Sequence, residues 1–329
     1  RSSGKNKRNT KKKEFNVKQL LDVLDNSRLV TTYAEFHHTI KLFNDGHFNF
    51  VVVVGRGGIG KSHQAKEVMG NVRISGAATG WGIYSTIAAE IECGNPDPVL
   101  VLNDLSPTYF SNDNAVALLK DLTEKHTPRV VQWSTDKANQ ANLSRCYSTG
   151  ARVLLLANDF KVNNEHLLAI LDRTSKVIIF DPTAYEVHKQ TAKWFRRYCL
   201  EYAENLGTQI STDEINEMFG FVYDHLPAIP RNSFRRYQNV VEDYFAYPDT
   251  WQEEQLAVIY GGNVQQVLAR QLAADKSYKS DRQRGIAFAK EIEPSVDEKR
   301  LETLVRQYYR LRNTLGLRDD RIGPNPKLR

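Results

Sequence analysis

Long apolar runs are missing from the 329-residue chain: none approaches the roughly 20 residues that span a bilayer, and nothing at its start reads as a signal peptide. Cysteine is scarce too. Cys93, Cys146 and Cys199 are the three, far apart and without metal-type spacing. This excludes a disulfide framework and a zinc cluster, and suits a soluble protein of the cytoplasm or another reducing compartment. Internal repeats are lacking, so an array architecture is out. Acids are absent from residues 1–13, RSSGKNKRNTKKK, which carry seven basic side chains.

What is present is enough for a folded protein. Hydrophobic residues make up 41% of the chain, sufficient for one large domain and a smaller one. The net charge of +6 is unevenly spread: residues 276–329 hold fourteen basic and eight acidic groups, which leaves 24 basic against 31 acidic in residues 14–275. Basicity therefore sits at the two ends. A Lys-rich tail without apolar residues cannot fold alone; it meets phosphates, acidic protein surfaces or nothing but solvent.

Two helical patterns follow the tail, FNVKQLLDVLDNSRL and TTYAEFHHTIKLFNDG, the second closed by Gly46. Short apolar runs come next at 48–55, 71–76, 98–103, 129–134, 151–158 and 176–181, with helical patterns between most of them. That alternation predicts an α/β fold, a mainly parallel sheet covered by helices. Beyond Pro182 the text turns helical to about Tyr247, with breaks at Gly207 and LPAIPR. After Asp249 comes a polar stretch, ADKSYKSDRQRG, expected as a loop. A final amphipathic helix puts Val296, Leu301, Leu304, Val305, Tyr308, Leu311 and Leu315 on one stripe, which reads as a docking face. The expected division is a basic tail at 1–14, an α/β domain at 15–182, a small all-helical domain at 183–250 and a basic helical extension at 251–329.

The strongest chemical signal is GRGGIGKS, Gly55–Ser62, which fits G-x-x-x-x-G-K-[ST] with a buried strand before it and a helix after it. Glycines let successive N–H groups turn toward phosphates, and the helix N-terminus adds partial positive charge. Lys61 then neutralises the β- and γ-phosphates and the Ser62 hydroxyl ligates magnesium. The expected nucleotide-binding residues are Gly55, Gly57, Gly58, Ile59, Gly60, Lys61, Ser62 and His63, with a nucleotide and Mg2+ bound there. A chance Gly-rich turn would lack this strand and helix.

The run VLVLND ends in Asn103 and Asp104, about 40 residues after the loop. Either Asn103 stands at the magnesium position and Asp104 orients the attacking water, or Asp104 is the metal acid and Leu105 leaves no base. A third apolar run ends in Asn158, and Asp172 and Arg173 close a helix just before the next strand.

From about residue 30 to about 250 this pattern resembles the AAA+ ATPases, nearest to the Holliday-junction branch-migration motor and the clamp loaders. The resemblance implies a P-loop core with a helical lid. It also implies that Asn158 senses the γ-phosphate, that Arg173 reaches a neighbouring subunit's nucleotide, and that a lid arginine, Arg235 with Arg231 and Arg236 beside it, contacts ATP. Homo-oligomerisation as a ring or open ring goes with it. RISGAATGWGIYSTIAAEI resembles the pore-facing segment of such rings, where Trp81 and Tyr84 either form an exposed grip on a polymer or fold into the core. The departure is Asn103, where the pattern has an acid; it lowers the negative charge and implies slow or absent turnover. The expected activity is ATP hydrolysis in a DNA-associated motor or loader, with DNA met by the pore segment and the basic ends. A protein-remodelling or adaptor ATPase and a nucleotide-dependent assembly switch are the alternatives.

Overall fold

The structure, a computed structural model, describes residues 20–69, 73–75, 79–103, 109, 112–126, 128–133, 136–158, 165–229, 231–260, 264–274, 277–314 and 325–328. The chain forms two compact units, Arg1–Asp181 and Pro182–Arg329. The expected basic tail, Asp104 and Leu315 lie outside the described residues. Among the described residues no helix is long and apolar enough to cross a membrane.

The first unit runs α1 (Leu20–Val23), β1 (Ser27–Val30), α2 (Tyr33–Asn44), β2 (Phe50–Val54), α3 (Lys61–Met69), β3 (Arg73–Ser75), α4 (Gly80–Glu92) and β4 (Val99–Asn103). It continues with α5 (Asp113–Thr123), β5 (Arg129–Gln132), α6 (Lys137–Gln140), β6 (Cys146–Thr149), β7 (Arg152–Ala157), α7 (Glu165–Arg173) and β8 (Lys176–Phe180). Six strands make one parallel sheet in the order β1-β8-β2-β7-β4-β3. Every residue of β2 is buried, as a strand covered on both faces requires, which is why it reads FVVVV rather than alternating. The order sets β7 beside β2 and β4 beside β7. The carboxyl ends of three strands therefore open side by side, where ligands of open α/β sheets bind.

Two expectations need correction in this unit. The end of the first helical pattern is an edge strand: Asn26 and Ser27 break the helix, the Ser27 hydroxyl donating to Leu20 O and Leu24 O, and Ser27–Val30 pairs with Val177–Phe180. The run at 129–134 is not a strand of the main sheet. It forms β5 of an antiparallel pair with β6, and its alternating burial, with Val131 inside and Val130 half exposed, is that of a strand covered on one face.

Trp81 and Tyr84 do not form an exposed grip. They lie in the first turns of α4, where a Cβ on Gly80 would stand 2.7 Å from that of Ala115, so glycine brings α4 onto α5. Tyr84 is fully buried with its hydroxyl donating to Ser144 O at 2.8 Å, and Trp81 packs against Tyr84 and Trp133. Residues 76–78 of the same segment lie outside the described residues.

The second unit is helical, with no strand among its described residues: α8 (Ala184–Thr191), α9 (Phe195–Asn205), α10 (Thr212–Asp224), a 3-10 turn (Leu226–Ala228), α11 (Phe234–Ala246), α12 (Trp251–Tyr260), α13 (Val264–Ala274), α14 (Asp281–Ile292) and α15 (Glu298–Thr314). Fully buried His188 lies at its centre, stacked on Phe219 at 4.0 Å, with Nδ1 2.7 Å from the Tyr237 hydroxyl and Nε2 2.9 Å from Asn325 Oδ1. The polar stretch expected as a loop instead starts α14, because the Ser280 side chain accepts from the Gln283 N–H and caps it. Gly285 lets α14 approach α15, since a Cβ there would meet Val305 at 3.1 Å. The stripe on α15 finds its docking partner within the unit. Tyr308 clusters with Phe288, Leu272 and Ala269, and Leu304 and Val305 are buried.

Candidate nucleotide-binding site

The Gly55 N–H donates to Ala157 O at 3.1 Å as β2 leaves the sheet. A Cβ at Gly55 would stand 2.4 Å from Phe180 O, so only glycine passes this point. Gly58 and Gly60 have φ of 80° and 74°, left-handed values open to glycine without steric cost. Between them Ile59 is fully buried and anchors the loop, its carbonyl accepting from the Tyr33 hydroxyl at 2.9 Å. At exposed Gly57 a Cβ would make ordinary contact with Asn158, 3.7 Å away.

Helix α3 starts at Lys61, and the Gln64 N–H donates to Gly60 O at 2.8 Å. The first turn of the helix, with its N–H groups and the positive end of its dipole, follows directly on the loop. Lys61 Nζ donates to Gly55 O at 2.6 Å, Arg56 O at 3.0 Å and Asn158 Oδ1 at 3.0 Å. The Ser62 hydroxyl donates to Asn103 Oδ1 at 2.7 Å. His63 is exposed. The ends of β4 and β7 thus meet the loop from β2 through two amide side chains. Magnesium prefers oxygen ligands and keeps several waters, and two neutral oxygens beside a phosphate loop fit such an ion as part of its shell. Among the described residues no three His, Cys, Asp or Glu side chains cluster as a metal site.

Sequence reasoning missed the second layer around the loop. Tyr33 and His37, one turn apart on α2, reach it: Tyr33 through Ile59, and His37 through Nε2 to Gln64 Oε1 at 2.6 Å. Gln64 is buried, and Tyr33 packs edge-on to Phe180, whose carbonyl abuts Gly55. The one available signal was two hydrogen-bonding side chains four apart on a helix otherwise accounted for by its apolar face.

Arg173 lies at the opposite end of the strands from the loop. It ends α7, before the first residue of β8, whereas the loop adjoins Phe180, the last residue of β8. Five strand residues span about 17 Å, farther than an arginine side chain reaches. Its guanidinium is half exposed and lies 3.6 Å from Glu124.

No family model and no curated protein matches the chain. Solved structures are similar to it, and two of them illustrate the likeness. One is NtrX from Brucella abortus in complex with ATP, at 13% identity and a TM-score of 0.39, covering 88% of this chain and 72% of that one. The other is a variant of Thermotoga maritima RuvB, at 12% identity and a TM-score of 0.37, covering 87% and 91%. The functional reading rests on the residues of the site and not on these similarities.

Arg231, Arg235 and Arg236 belong to the second unit, at and before the start of α11. Arg231 and Arg235 are exposed, while Arg236 is partly buried, and desolvation lowers its pKa from the usual arginine value.

Proposed function

We propose that the chain binds ATP and Mg2+ at Gly55–Ser62, hydrolyses the ATP, and works as a homo-oligomer in which Arg173 of one copy completes the site of another. The observation that carries this reading is the meeting of three strand ends at one loop: Lys61 with Asn158 at 3.0 Å and Ser62 with Asn103 at 2.7 Å. An ammonium group has three donors, and Gly55 O, Arg56 O and Asn158 Oδ1 stand among the acceptors around Lys61; a γ-phosphate oxygen would take the place of one of them. Asn158 then lies beside the phosphate, where its amide holds the attacking water. Ser62 and Asn103 are the residues that would hold a magnesium ion, which would supply neutralisation of phosphate charge. The contact between Asn103 and Ser62 supports the register in which Asn103 takes the metal position and Asp104 orients or deprotonates the water. Arg173, too far from its own loop, serves a neighbour, and Arg235 is the lid arginine of this reading.

The finer reading is a DNA-associated motor or loader. Its support is the charge distribution, basic at both ends around an acidic centre; Trp81 and Tyr84 give it none. One observation favours a second reading: neutral Asn103 in contact with Ser62 weakens magnesium binding, which suits an assembly switch that binds ATP and turns it over slowly. Phosphate release, measured with and without single- and double-stranded DNA beside Lys61→Ala, separates them. A rate above the Lys61→Ala background that rises with DNA is expected of the motor. ATP binding without release leaves the switch, and no ATP binding refutes both.

A further inference from the structure

At the corner between α7 and β8 the last carbonyls of the helix need partners, which a glycine just after the helix often supplies by letting the chain turn back on itself. The sequence there is DRTSK, with no glycine. Leu171 O accepts locally from the Thr174 hydroxyl at 2.8 Å, and a further partner comes from 145 residues earlier. Asn26 Nδ2 lies 2.8 Å from Leu171 O, 2.7 Å from Thr174 O and 3.3 Å from Asp172 O. Only the nitrogen of a carboxamide can face carbonyl oxygens, so the orientation of the group is determined. Its Oδ1 is buried and meets no donor among the described residues. The amide is held for its nitrogen, at the expense of its oxygen.

The same corner is fixed from the other side. Ser175 Oγ accepts from the N–H groups of Asn49 and Phe50 at 3.3 Å and 3.4 Å, Ser175 N–H donates to Phe50 O at 2.9 Å, and Thr174 is buried. By contrast, the pair Arg173–Glu124 joins two half-exposed side chains at 3.6 Å, a kind of contact that holds little. The backbone of the corner, and not its ion pair, therefore sets where the guanidinium stands.

We propose that Asn26 is a positioning residue for Arg173: reaching across from the start of β1, its amide caps α7 and fixes the point from which the guanidinium reaches a second copy's nucleotide. This rests on the reading of Arg173 given above. In Asn26→Asp a carboxylate faces the same carbonyl oxygens, and the corner opens. A displacement of about 1 Å at a catalytic group lowers a rate by about a hundredfold. Turnover of Asn26→Asp is expected to fall about ten- to a hundredfold, with ATP affinity by equilibrium binding unchanged.

The deciding measurement is mixing. Lys61→Ala has a dead loop and a well-held Arg173; Asn26→Asp has a working loop and a poorly held one. Together they are expected to hydrolyse ATP faster than the sum of the two alone, and so are Lys61→Ala and Arg173→Ala. Rescue of Arg173→Ala but not of Asn26→Asp overturns the positioning role and leaves the trans arginine standing. Full activity in Arg173→Ala alone, or no turnover in the wild type, overturns the reading of Arg173 and this proposal with it. If circular dichroism shows Asn26→Asp unfolded, Asn26→Ser, which keeps one donor, goes through the same mixing with a smaller loss expected. Lack of rescue there counts against the proposal equally.

Discussion

At the scale of single residues the site turns on the amide of Asn103. A carboxylate in its place would put a full negative charge within hydrogen-bond distance of the Ser62 hydroxyl. Asn103→Asp is therefore expected to lower the Mg2+ concentration for half-maximal phosphate release about tenfold, toward the low end of the roughly 1–4 kcal/mol that opposite unit charges 4 Å apart gain between bulk water and a protein surface. A magnesium titration checks it, and an unchanged requirement would remove Asn103 from the metal position. The loop, Asn103 and Asn158 were legible because glycines and polar groups stood at the ends of apolar runs. Tyr33, His37 and Asn26 were not. Their partners lie 26, 27 and 145 residues away, and periodicity shows the face a side chain occupies but not what crosses to meet it.

At the scale of elements, the sequence was readable where burial on both faces or a strong cap dictated structure. Helix α10 begins with a capping box: Ser211 Oγ accepts from the Glu214 N–H, and Glu214 Oε2 accepts from the Ser211 N–H at 2.7 Å. Glu214 also accepts from the Tyr244 hydroxyl, and hydrogen bonds to Ser211 first and Tyr244 second hold its carboxyl down at about 2. Ser211→Ala is expected to destabilise the helical unit by about 1 kcal/mol, read as a lower urea midpoint with an unchanged slope. The stabilisation from Glu214 is present above the ordinary carboxylate range and lost as the pH falls toward 2, so the difference between Ser211→Ala and wild type narrows in acid. Elements that went unread lacked such signals. Strand β1 has four residues at an edge with two exposed, and β6 is short and mostly polar. Helix α14 begins inside a charged stretch whose apolar partners come from α13 and α15.

At the scale of the whole chain, the two units differ in what holds them. The first is built on an apolar sheet with polar side chains at both ends of its strands, and the second keeps a fully buried imidazole. Asn232 Nδ2 donates to the Tyr237 oxygen at 2.8 Å, that hydroxyl lies 2.7 Å from His188 Nδ1, and His188 Nε2 lies 2.9 Å from Asn325 Oδ1. The ring packs against Phe219, Tyr223 and Tyr237. Burial holds the His188 pKa down at about 4, against the opposing hydrogen bond to Asn325. With the folded value below the ordinary 6.5, the unfolded chain binds more protons between pH 6.5 and 4. Stability contributed by the neutral ring is complete above that window and lost as the pH falls through it. The loss is about 2 kcal/mol by pH 5, a fall of about 6 °C in the melting temperature of a unit this size. Calorimetry at pH 7.5 and 5.0 checks it, beside His188→Gln, which removes the titrating group and should flatten the dependence. A midpoint equally sensitive to acid in His188→Gln would locate the titrating group elsewhere, and one that does not move in the wild type would mean that the folded unit accepts the proton without cost.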